Sequence, residues 1–406
     1  MTPAVDSARS AWWRGAVGVL AGALLFNLGQ GVLRPTMPLY LQQVFSANYR
    51  MVTAIPTVFG AGKWVASLPT GYLLGRLGRR PLMVSGLLVI ALSDLASVMT
   101  SAYGVFLGFR AIAGVGWAMF GTVATATMVD LPAAQRRGRA VSLLMMSETS
   151  GLLLGTAAGG WLYQGLGVAS PFVFEAACLL AAAILVARWA LPPASQKPAA
   201  GGWGDRHRLG AVLRAPGVLD ASVTNAVLTV IQTGVLVFLF PLYLVNRGGF
   251  APAAVGVLTS VGILGRLVAL WVGGSVSDRW GRMRVLVAGL LAYAALLGTV
   301  PFLTHPIVLS LWSLALGVAA GFVAPLPTAV VADRVVAPLH GLAIGWLRTM
   351  TDSGQIVGPL VMGACAEALD LSAPFLLGAA LLLAAAWRCG RQGRLTPAPA
   401  TTEGSV

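Results

Sequence analysis

The sequence predicts an all-α membrane protein of about twelve transmembrane helices, arranged as two pseudo-symmetric six-helix bundles around a central cavity. The first supporting observation is composition, because 57% of the 406 residues are hydrophobic and 10% are charged, whereas soluble proteins carry about 25% charged residues. The second is length, since a membrane-spanning helix needs about 20 mainly apolar residues. The third is an internal repeat that relates the two halves of the chain.

Apolar runs interrupted by Gly, Pro and charged residues mark the individual spans. The predicted spans are 14–40, 51–75, 80–100, 103–128, 138–163, 171–191, 217–245, 252–276, 283–303, 306–331, 340–366 and 372–388. They divide the chain into a cytoplasmic N-terminus (1–13), an N-terminal six-helix bundle (14–191), a cytoplasmic linker (192–216), a C-terminal six-helix bundle (217–388) and a cytoplasmic tail (389–406).

Basic residues are concentrated in alternate loops. Those loops contain Arg9, Arg14, Arg76, Arg79, Arg80, Arg136, Arg137, Arg139, Lys197, Arg206, Arg208, Arg214, Arg279, Arg282, Arg284, Arg334, Arg388, Arg391 and Arg394, against Arg50 and Arg247 in the opposite loops. The positive-inside rule therefore predicts a multi-pass protein of the cell inner membrane with both termini in the cytoplasm. The net charge of +14 does not predict nucleic-acid binding, because no predicted soluble domain is long enough to present a basic surface.

The two halves repeat at one constant offset. The tetrapeptide PLYL at Pro38 recurs 203 residues later at Pro241, and Lys63 has a basic counterpart in Arg266. The same offset relates Gly71 to Gly274, Arg76 to Arg279, Gly78 to Gly281, Arg79 to Arg282, Asp130 to Asp333, Gly151 to Gly354 and Gly155 to Gly358. Because each half has an even number of spans, both copies enter the membrane from the same side, which is typical of parallel repeats that enclose a central site.

Two loop segments of this repeat resemble the signature of the major facilitator superfamily. They are GYLLGRLGRR (71–80) and GSVSDRWGRMR (274–284), and the likeness extends over essentially the whole chain to the twelve-span drug:proton antiporters. The resemblance implies conformational gating by Gly71, Arg76, Gly78, Arg79, Asp130, Gly274, Asp278, Arg279, Gly281, Arg282 and Asp333, with the arginines paired to acids at neighbouring helix ends. Gly75 stands where the family has an acid, so the first half departs from the family pattern at the residue that would lock the closed state.

Two further segments resemble antiporter signatures. LGFRAIAGVGWA (107–118) is similar to the fourth-span pattern, which implies a role in proton transfer for Arg110, although Ala113 replaces the family's glutamine. A structural arginine bonded to carbonyl oxygens is the alternative. GLLLGTAAGG (151–160) is similar to the fifth-span pattern, with Thr156 in place of proline. Glycines four residues apart also allow close helix packing, which we expect of Gly151, Gly155, Gly354, Gly358 and Pro359.

Proton-driven transport requires a group inside the membrane that changes its protonation state. Glu148 in the fifth span and Asp352 in the eleventh are the candidates, together with Arg110. Arg348 lies one helical turn before Asp352, so a purely structural ion pair is the alternative there. Asp94 is a weaker candidate, because third spans pack on the outside in the resembling family. Glu175 is expected near a span end, in contact with solvent.

Polar and aromatic residues on the predicted spans suggest a substrate cavity. Its candidate residues are Asn27, Gln30, Arg34, Trp117, Phe120, Asn225, Gln232, Trp312 and Arg348. The prediction is a monomeric secondary active transporter that exports small amphipathic molecules by alternating access, with the proton as coupling ion. The alternative is a carrier of anionic metabolites, or a lipid-headgroup flippase, that uses Arg34 and Arg110. No metal, cofactor or enzymatic activity is expected, because HExxH, nucleophile-elbow and phosphate-loop motifs are absent from the sequence.

Overall fold

A computed structural model describes residues 3–130, 137–188, 210, 212–303, 305–335 and 339–395. Within these ranges, the regular elements are all helical. In the first half they are α1 (Pro3–Phe45), α2 (Tyr49–Leu77), α3 (Arg79–Val98), α4 (Tyr103–Asp130), α5 (Arg137–Leu166) and α6 (Ser170–Arg188). Of the predicted linker, residues 192–209 and 211 lie outside the described residues, as does the tail from residue 396.

The second half repeats this order with two interrupted spans. Its helices are α7 (Val218–Val230), α8 (Phe240–Asn246), α9 (Pro252–Trp280), α10 (Arg282–Thr299), α11 (Pro306–Val323), α12 (Leu326–Arg334), α13 (His340–Ala368) and α14 (Ala373–Leu395). A π-helical stretch, Ile231–Leu239, joins α7 to α8. A short 3₁₀ turn, Val300–Phe302, follows α10.

The helices agree with the predicted spans. Observed and predicted ends differ by at most four residues, except at both ends of α1 and at the C-terminal end of α14. Over the described residues, nine segments are long and apolar enough to cross a membrane. Three more helices, α2, α5 and α13, are 29, 30 and 29 residues long but carry more polar side chains. Over the described residues, the nine apolar segments together with α2, α5 and α13 are consistent with the multi-span helical architecture that the sequence predicts.

The internal repeat is visible in where the helices begin. Tyr49 begins α2 and Pro252 begins α9, and Arg79 and Arg282 likewise begin α3 and α10, in each case 203 residues apart. The starts of α5 and α13, and those of α6 and α14, differ by the same number. These helix starts repeat at the offset found in the sequence, as expected for two related halves.

Contacts divide the described residues into two compact units. The first comprises the described parts of Met1–Ala200, Thr233–Ile263 and Gln355–Leu371. In it, α1 packs on α5 and α6, while α4 packs on α2 and α3. Apolar side chains of α1, α3, α4 and α6 form its core, including Phe26, Leu82 and Phe120. These four helices therefore surround a dry interior.

The second unit comprises the described parts of Gly201–Gln232, Leu264–Gly354 and Ser372–Val406. In it, α10 packs on α14 and α11, and α7 packs on α14 and α12. A small apolar cluster that includes Val218, Val331 and Leu347 joins α7, α12 and α13. The predicted bundle boundaries at residues 191 and 217 stay a prediction.

Glycines allow α5 to lie directly against α1. A methyl group at Gly155 would come within 2.0 Å of the Leu28 carbonyl oxygen, and one at Gly151 within 2.2 Å of the Leu24 carbonyl oxygen. Helices that approach this closely gain van der Waals contact along their backbones, which drives association inside a membrane. Gly354 lies in the same way on Ala226 of α7, where a methyl group would be 2.7 Å from the carbonyl oxygen.

Gly78 and Gly281 form the turns after α2 and α9. Their φ angles are +82° and +87°, in the region that L-residues with a side chain rarely adopt. A methyl group would meet no other atom within 4 Å at either position. Glycine is therefore required by the backbone conformation and not by a lack of space.

We predict that Gly155→Ala destabilises the protein, because overpacking costs about 1–3 kcal/mol. The measurement is the thermal unfolding midpoint of purified protein in detergent. Gly108→Ala is the matched control, since a methyl group there would have no neighbour within 4 Å. Equal midpoints for the two variants would contradict the close contact between α1 and α5.

We predict that Gly78→Ala and Gly281→Ala each destabilise the protein by about 1–3 kcal/mol, the cost of a side chain in a disfavoured backbone region. Gly104→Ala is the control, because its surroundings are equally open and its φ is not positive. Denaturant unfolding of the three variants tests this. A loss of stability in Gly104→Ala as large as in the other two would contradict the assignment.

Candidate functional site

Charged side chains are buried in the interior of the first unit. Asp94 on α3 and Glu175 on α6 are both 0% exposed, and Arg110 on α4 is 3% exposed. Arg110 Nη2 forms an ion pair with Asp94 Oδ1 and donates a second hydrogen bond to Ser97 Oγ at 2.9 Å. Gln30 of α1 donates its side-chain amide hydrogen to Glu175 Oε1. We call Gln30, Asp94, Arg110 and Glu175 the buried charge cluster.

Helix geometry explains why Asp94 meets Arg110. The connection between α3 and α4 is only four residues long, 99–102, so the two helices run antiparallel as direct neighbours. Residues that stand a similar number of positions before and after such a connection therefore lie at similar positions along the two helix axes. The helices also approach closely, because a methyl group at Gly116 would be 2.6 Å from the Gly86 carbonyl oxygen.

Aromatic rings enclose the guanidinium group. The Arg110 Cζ atom lies 5.5 Å from the ring centroid of Phe106 and 5.6 Å from that of Phe172. Tyr40 packs on both rings, with centroids 5.9 and 4.8 Å away. Aromatic faces attract cations while excluding water, so the cluster combines a stabilised cation with a dry environment.

The two carboxyl groups of the cluster are direct neighbours. Glu175 lies within hydrogen-bond reach of Asp94. Asp94 Oδ2 and Glu175 Oε2 are both buried, and neither accepts a hydrogen bond from a donor group. The cluster therefore contains one guanidinium group, two adjacent carboxyl groups and one amide.

Sequence reasoning missed the two acids of this cluster. Glu175 was expected in solvent near a span end, and the structure instead buries it completely; Asp94 was the weaker candidate, and it is the ion-pair partner of Arg110. A signal for Asp94 existed, since opposite charges stand on consecutive spans with a short connection. The burial of Glu175 depends on how α6 packs against α1 and α3, which no local pattern states.

The other predicted proton-coupling residues lie elsewhere. Glu148 on α5 and Asp352 on α13 are half-buried, and Arg348 is exposed. Glu148 and Asp352 lie on α5 and α13, whereas the buried charge cluster is formed by α1, α3, α4 and α6. Their part in proton coupling stays a prediction.

Several predicted cavity residues take part in polar contacts. Asn225 donates its amide hydrogen to Thr351 Oγ1 at 2.6 Å, and Arg266 donates to Gln232 Oε1 at 3.5 Å. Gln232 lies in the π-helical stretch, a deviation that is frequent at functional sites.

The remaining cavity candidates are differently placed. Phe120 and Trp312 are 1% and 6% exposed, so each presents little surface to a ligand; Phe120 packs on Phe26 with centroids 4.8 Å apart. Asn27 donates to its own helix at the Ala23 carbonyl oxygen, 3.0 Å away. Arg34 is half-buried on α1.

A line of hydrogen bonds joins α2 to the C-terminal part of α13 within the first unit. Lys63 Nζ donates to Gln355 Oε1 at 3.0 Å, and the Lys63 ammonium group lies 4.5 Å from the ring centroid of Trp117. Thr57 donates to the Ile356 carbonyl oxygen at 2.8 Å. At the start of α2, the backbone N–H of Tyr49 donates to Glu367 at 3.0 Å. These contacts connect the two sequence halves.

One of the predicted gating pairs is present in the second unit. Arg282 Nε lies 3.1 Å from Asp333 Oδ2. Arg76 and Arg279 are exposed, while Arg79 is buried. The structure does not describe the side chains of Asp130 and Asp278, nor the surroundings of Gly71 and Gly274. A gating role for these residues stays a prediction.

An exposed ion pair provides a contrast with the buried one. Arg247 Nη2 lies 2.6 Å from Asp370 Oδ2, with side chains 53% and 44% exposed. The hydrogen bond and the charge of Asp370 raise the pKa of the Arg247 side chain. Water screens such a pair, so its contribution to stability is small.

Within the described residues, nine helical segments long and apolar enough to cross a membrane indicate a multi-pass membrane protein. Comparison with known proteins agrees, because the sequence profile described as Major Facilitator Superfamily matches residues 19–251 and 222–403. The chain belongs to the Major Facilitator Superfamily. The resemblance inferred from the loop signatures is thereby confirmed.

Curated relatives match along nearly the whole chain. Multidrug resistance protein 2 of Bacillus subtilis (strain 168) is 22% identical over 377 residues, which cover 90% of this chain and 92% of that protein. Multidrug resistance protein MdtG of Salmonella heidelberg (strain SL476) is 25% identical over 402 residues, which cover 95% and 97% of the two chains.

Solved transporters share the fold. The nucleoside transporter NupG superimposes with a TM-score of 0.76 at 14% identity, over 93% of this chain and 99% of that one. A D-xylose-proton symporter superimposes with a TM-score of 0.74 at 16% identity, over 93% and 97%. At these identities the likeness concerns the fold alone.

We predict that Arg110→Met destabilises the protein strongly, because breaking a buried ion pair leaves an uncompensated charge and costs about 3–5 kcal/mol. The loss should shrink as pH falls, since a protonated Asp94 no longer carries a charge that needs a partner. Denaturant unfolding in detergent at several pH values tests this.

Arg247→Met is the matched control, and we expect it to cost about 0–1 kcal/mol, as exposed ion pairs do. If both variants lost the same stability, or if the loss for Arg110→Met did not depend on pH, the assignment of a buried charge pair would be wrong.

Proposed function

We propose that this protein is a proton-coupled secondary transporter that exports small amphipathic molecules by alternating access. The observation that supports the proposal best is the burial of Asp94, Arg110 and Glu175 inside a helix bundle. Ionisable residues inside a membrane cost free energy and mark ion pathways and proton relays. The relatives named as multidrug resistance proteins, which cover at least nine-tenths of this chain, support export of drug-like molecules.

The substrate and the proton have separate candidate sites in this proposal. In the first unit, Trp117 on α4 is the candidate aromatic contact for a loosely recognised ligand. In the second unit, Asn225 and Gln232 in the seventh span are the candidate polar contacts. Glu148 and Asp352, together with Arg110, remain candidate residues for proton coupling. Protonation from outside would favour the return to the inward-open state, and substrate binding from inside would favour the outward-open state.

Alternating access needs contacts that hold one side of the protein closed in one state and break when that side opens in the other state. The hydrogen bonds from α2 to α13 at Lys63, Thr57 and Tyr49 are suitable, because they are few and polar, and partners in water replace them at little cost. The Arg282–Asp333 ion pair is the corresponding contact near the loop after α9. We propose cytoplasmic termini, as the distribution of basic loops indicates.

The alternative, a carrier of anions or lipid headgroups, requires Arg34 and Arg110 to face the substrate. Arg110 is 3% exposed and already has an anionic partner in Asp94. An anionic ligand would have to displace that carboxylate from a site enclosed by aromatic rings. The buried charge cluster therefore favours a proton-coupled transporter over a carrier of anions or lipid headgroups.

Reconstituted protein in proteoliposomes tests the proposal, with ethidium and tetraphenylphosphonium as probe cations and fluorescein as probe anion. We predict that an imposed pH gradient drives accumulation of the cations and that a protonophore abolishes it. Glu148→Gln and Asp352→Asn should each reduce gradient-driven accumulation, because each removes a candidate proton-carrying carboxyl group from a spanning helix.

Asp370→Asn is the control variant, because this exposed carboxylate lies outside the proposed machinery. Transport of the cations that ignores the pH gradient, and that Glu148→Gln leaves unchanged, would argue against coupling. Gradient-independent transport of fluorescein that is lost in Arg34→Ala would favour the anion carrier instead.

A further inference from the structure

Two buried oxygen atoms in the charge cluster require a proton that neither Arg110 nor Gln30 supplies. Arg110 satisfies Asp94 Oδ1 and Gln30 satisfies Glu175 Oε1. The second oxygen of each carboxyl group is buried and accepts no hydrogen bond from a donor, although the two groups are within hydrogen-bond reach of each other. Ionised carboxylates only accept hydrogen bonds, whereas a protonated one donates. One proton between Asp94 and Glu175 would therefore satisfy both orphan oxygens.

The charge balance of the cluster also requires one proton. With both acids ionised, one guanidinium group would face two carboxylates and leave a net negative charge in a dry interior. With one shared proton, the cluster is neutral. Because an uncompensated charge in a buried site is strongly destabilising, the singly protonated pair is the favoured form.

Among the described residues, Arg110 is the cation in contact with the pair. The charged neighbours of Glu175 are Asp94 and Arg110; α6 adds the Cys178 thiol, and α1 adds the Tyr40 hydroxyl near Arg110. The remaining charged residues of α3, α4 and α6 stand at helix ends: Arg79, Arg80, Asp130 and Arg188. On α1, Arg34 follows Gln30 by one turn, and on α5, Glu148 is half-buried.

We propose that Asp94 and Glu175 hold a single proton between them and that this pair binds the coupling proton of the transport cycle, an inference that rests on the proposed function. In the protonated form, the proton lies between Asp94 Oδ2 and Glu175 Oε2, and Arg110 balances the remaining negative charge. On release, the proton passes to water and both acids become carboxylates. No other bond forms or breaks.

The packing of α1 on α6 controls when this exchange happens. Both acids are 0% exposed, so water does not reach them in this conformation. Gly29 of α1 lies against α6, where a methyl group would be 3.0 Å from Glu175 Cγ and 3.1 Å from its Cα. Gln30, half-buried beside Gly29, is the least enclosed member of the cluster. Separation of α1 from α6 therefore admits water through Gln30, which limits proton exchange to one conformation of the cycle.

Infrared spectroscopy of purified protein tests the shared proton without any substrate. At neutral pH the wild-type protein should show the C=O stretch of a buried carboxylic acid, a band that ionised carboxylates lack. Glu175→Gln should lose this band, because its amide donates to Asp94 in place of the proton and leaves Asp94 ionised beside Arg110. The exposed control Asp370→Asn should keep it. Identical spectra for wild type and Glu175→Gln would overturn the proposal.

Loss of the band must be distinguished from loss of the fold. Circular dichroism measures the helix content of each variant, and the conservative variant Asp94→Glu provides a second test. Asp94→Glu retains two acids and should keep the band; loss of the band in a variant with wild-type helix content would overturn the shared proton.

Transport measurements separate this proposal from the broader function. In proteoliposomes that contain the internal pH dye pyranine, Glu175→Gln should abolish ethidium-linked proton movement and gradient-driven ethidium accumulation, yet retain ethidium exchange at equal pH. Wild-type coupling that survives in Glu175→Gln would overturn the role of the pair and leave the proposed function intact. If the wild-type protein shows the infrared band but its ethidium transport is not coupled to proton movement, the proposed function is wrong, and so is the transport role of the shared proton.

Discussion

A guanidinium group in the dry middle of a helix bundle needs a counter-charge at contact distance, and this need organises the first unit of the protein. Arg110 meets it with Asp94 on the adjacent helix, while the rings of Phe106 and Phe172 lie beside the guanidinium group. The same enclosure that strengthens the ion pair makes any unpaired charge beside it expensive. The second acid, Glu175, is therefore held in a form that depends on a proton.

Close helix packing makes that dry interior possible. Gly151 and Gly155 let α5 lie on α1, and Gly86 and Gly116 let α3 lie on α4. Without these contacts, larger side chains would separate the helices and water would screen the charges. These glycines thus have two consequences. They bring the helices together, and the close packing then sets the electrostatic environment of the buried acids.

A transporter also needs contacts that are weak enough to break in each cycle. The polar contacts between α2 and α13 differ in kind from the buried ion pair, because their groups find equivalent partners in water. Gly78 and Gly281 fix the turns after α2 and α9 at equivalent places in the repeat. Both kinds of contact therefore occur within the first unit, a buried ion pair that resists separation and polar contacts that water can replace.

The sequence by itself determined the helical class, most of the span limits to within four residues, the repeat at 203 residues and the two turn glycines. Each of these follows from local hydrophobicity or from a backbone conformation that only glycine adopts readily. Tertiary structure decided which charges are buried and which of them meet. Glu175 stands near the start of α6, where sequence distance predicts solvent, but its burial depends on the faces that α1 and α3 turn toward it. Side chains brought together from four helices form no local pattern, because their contacts are set by packing between distant segments.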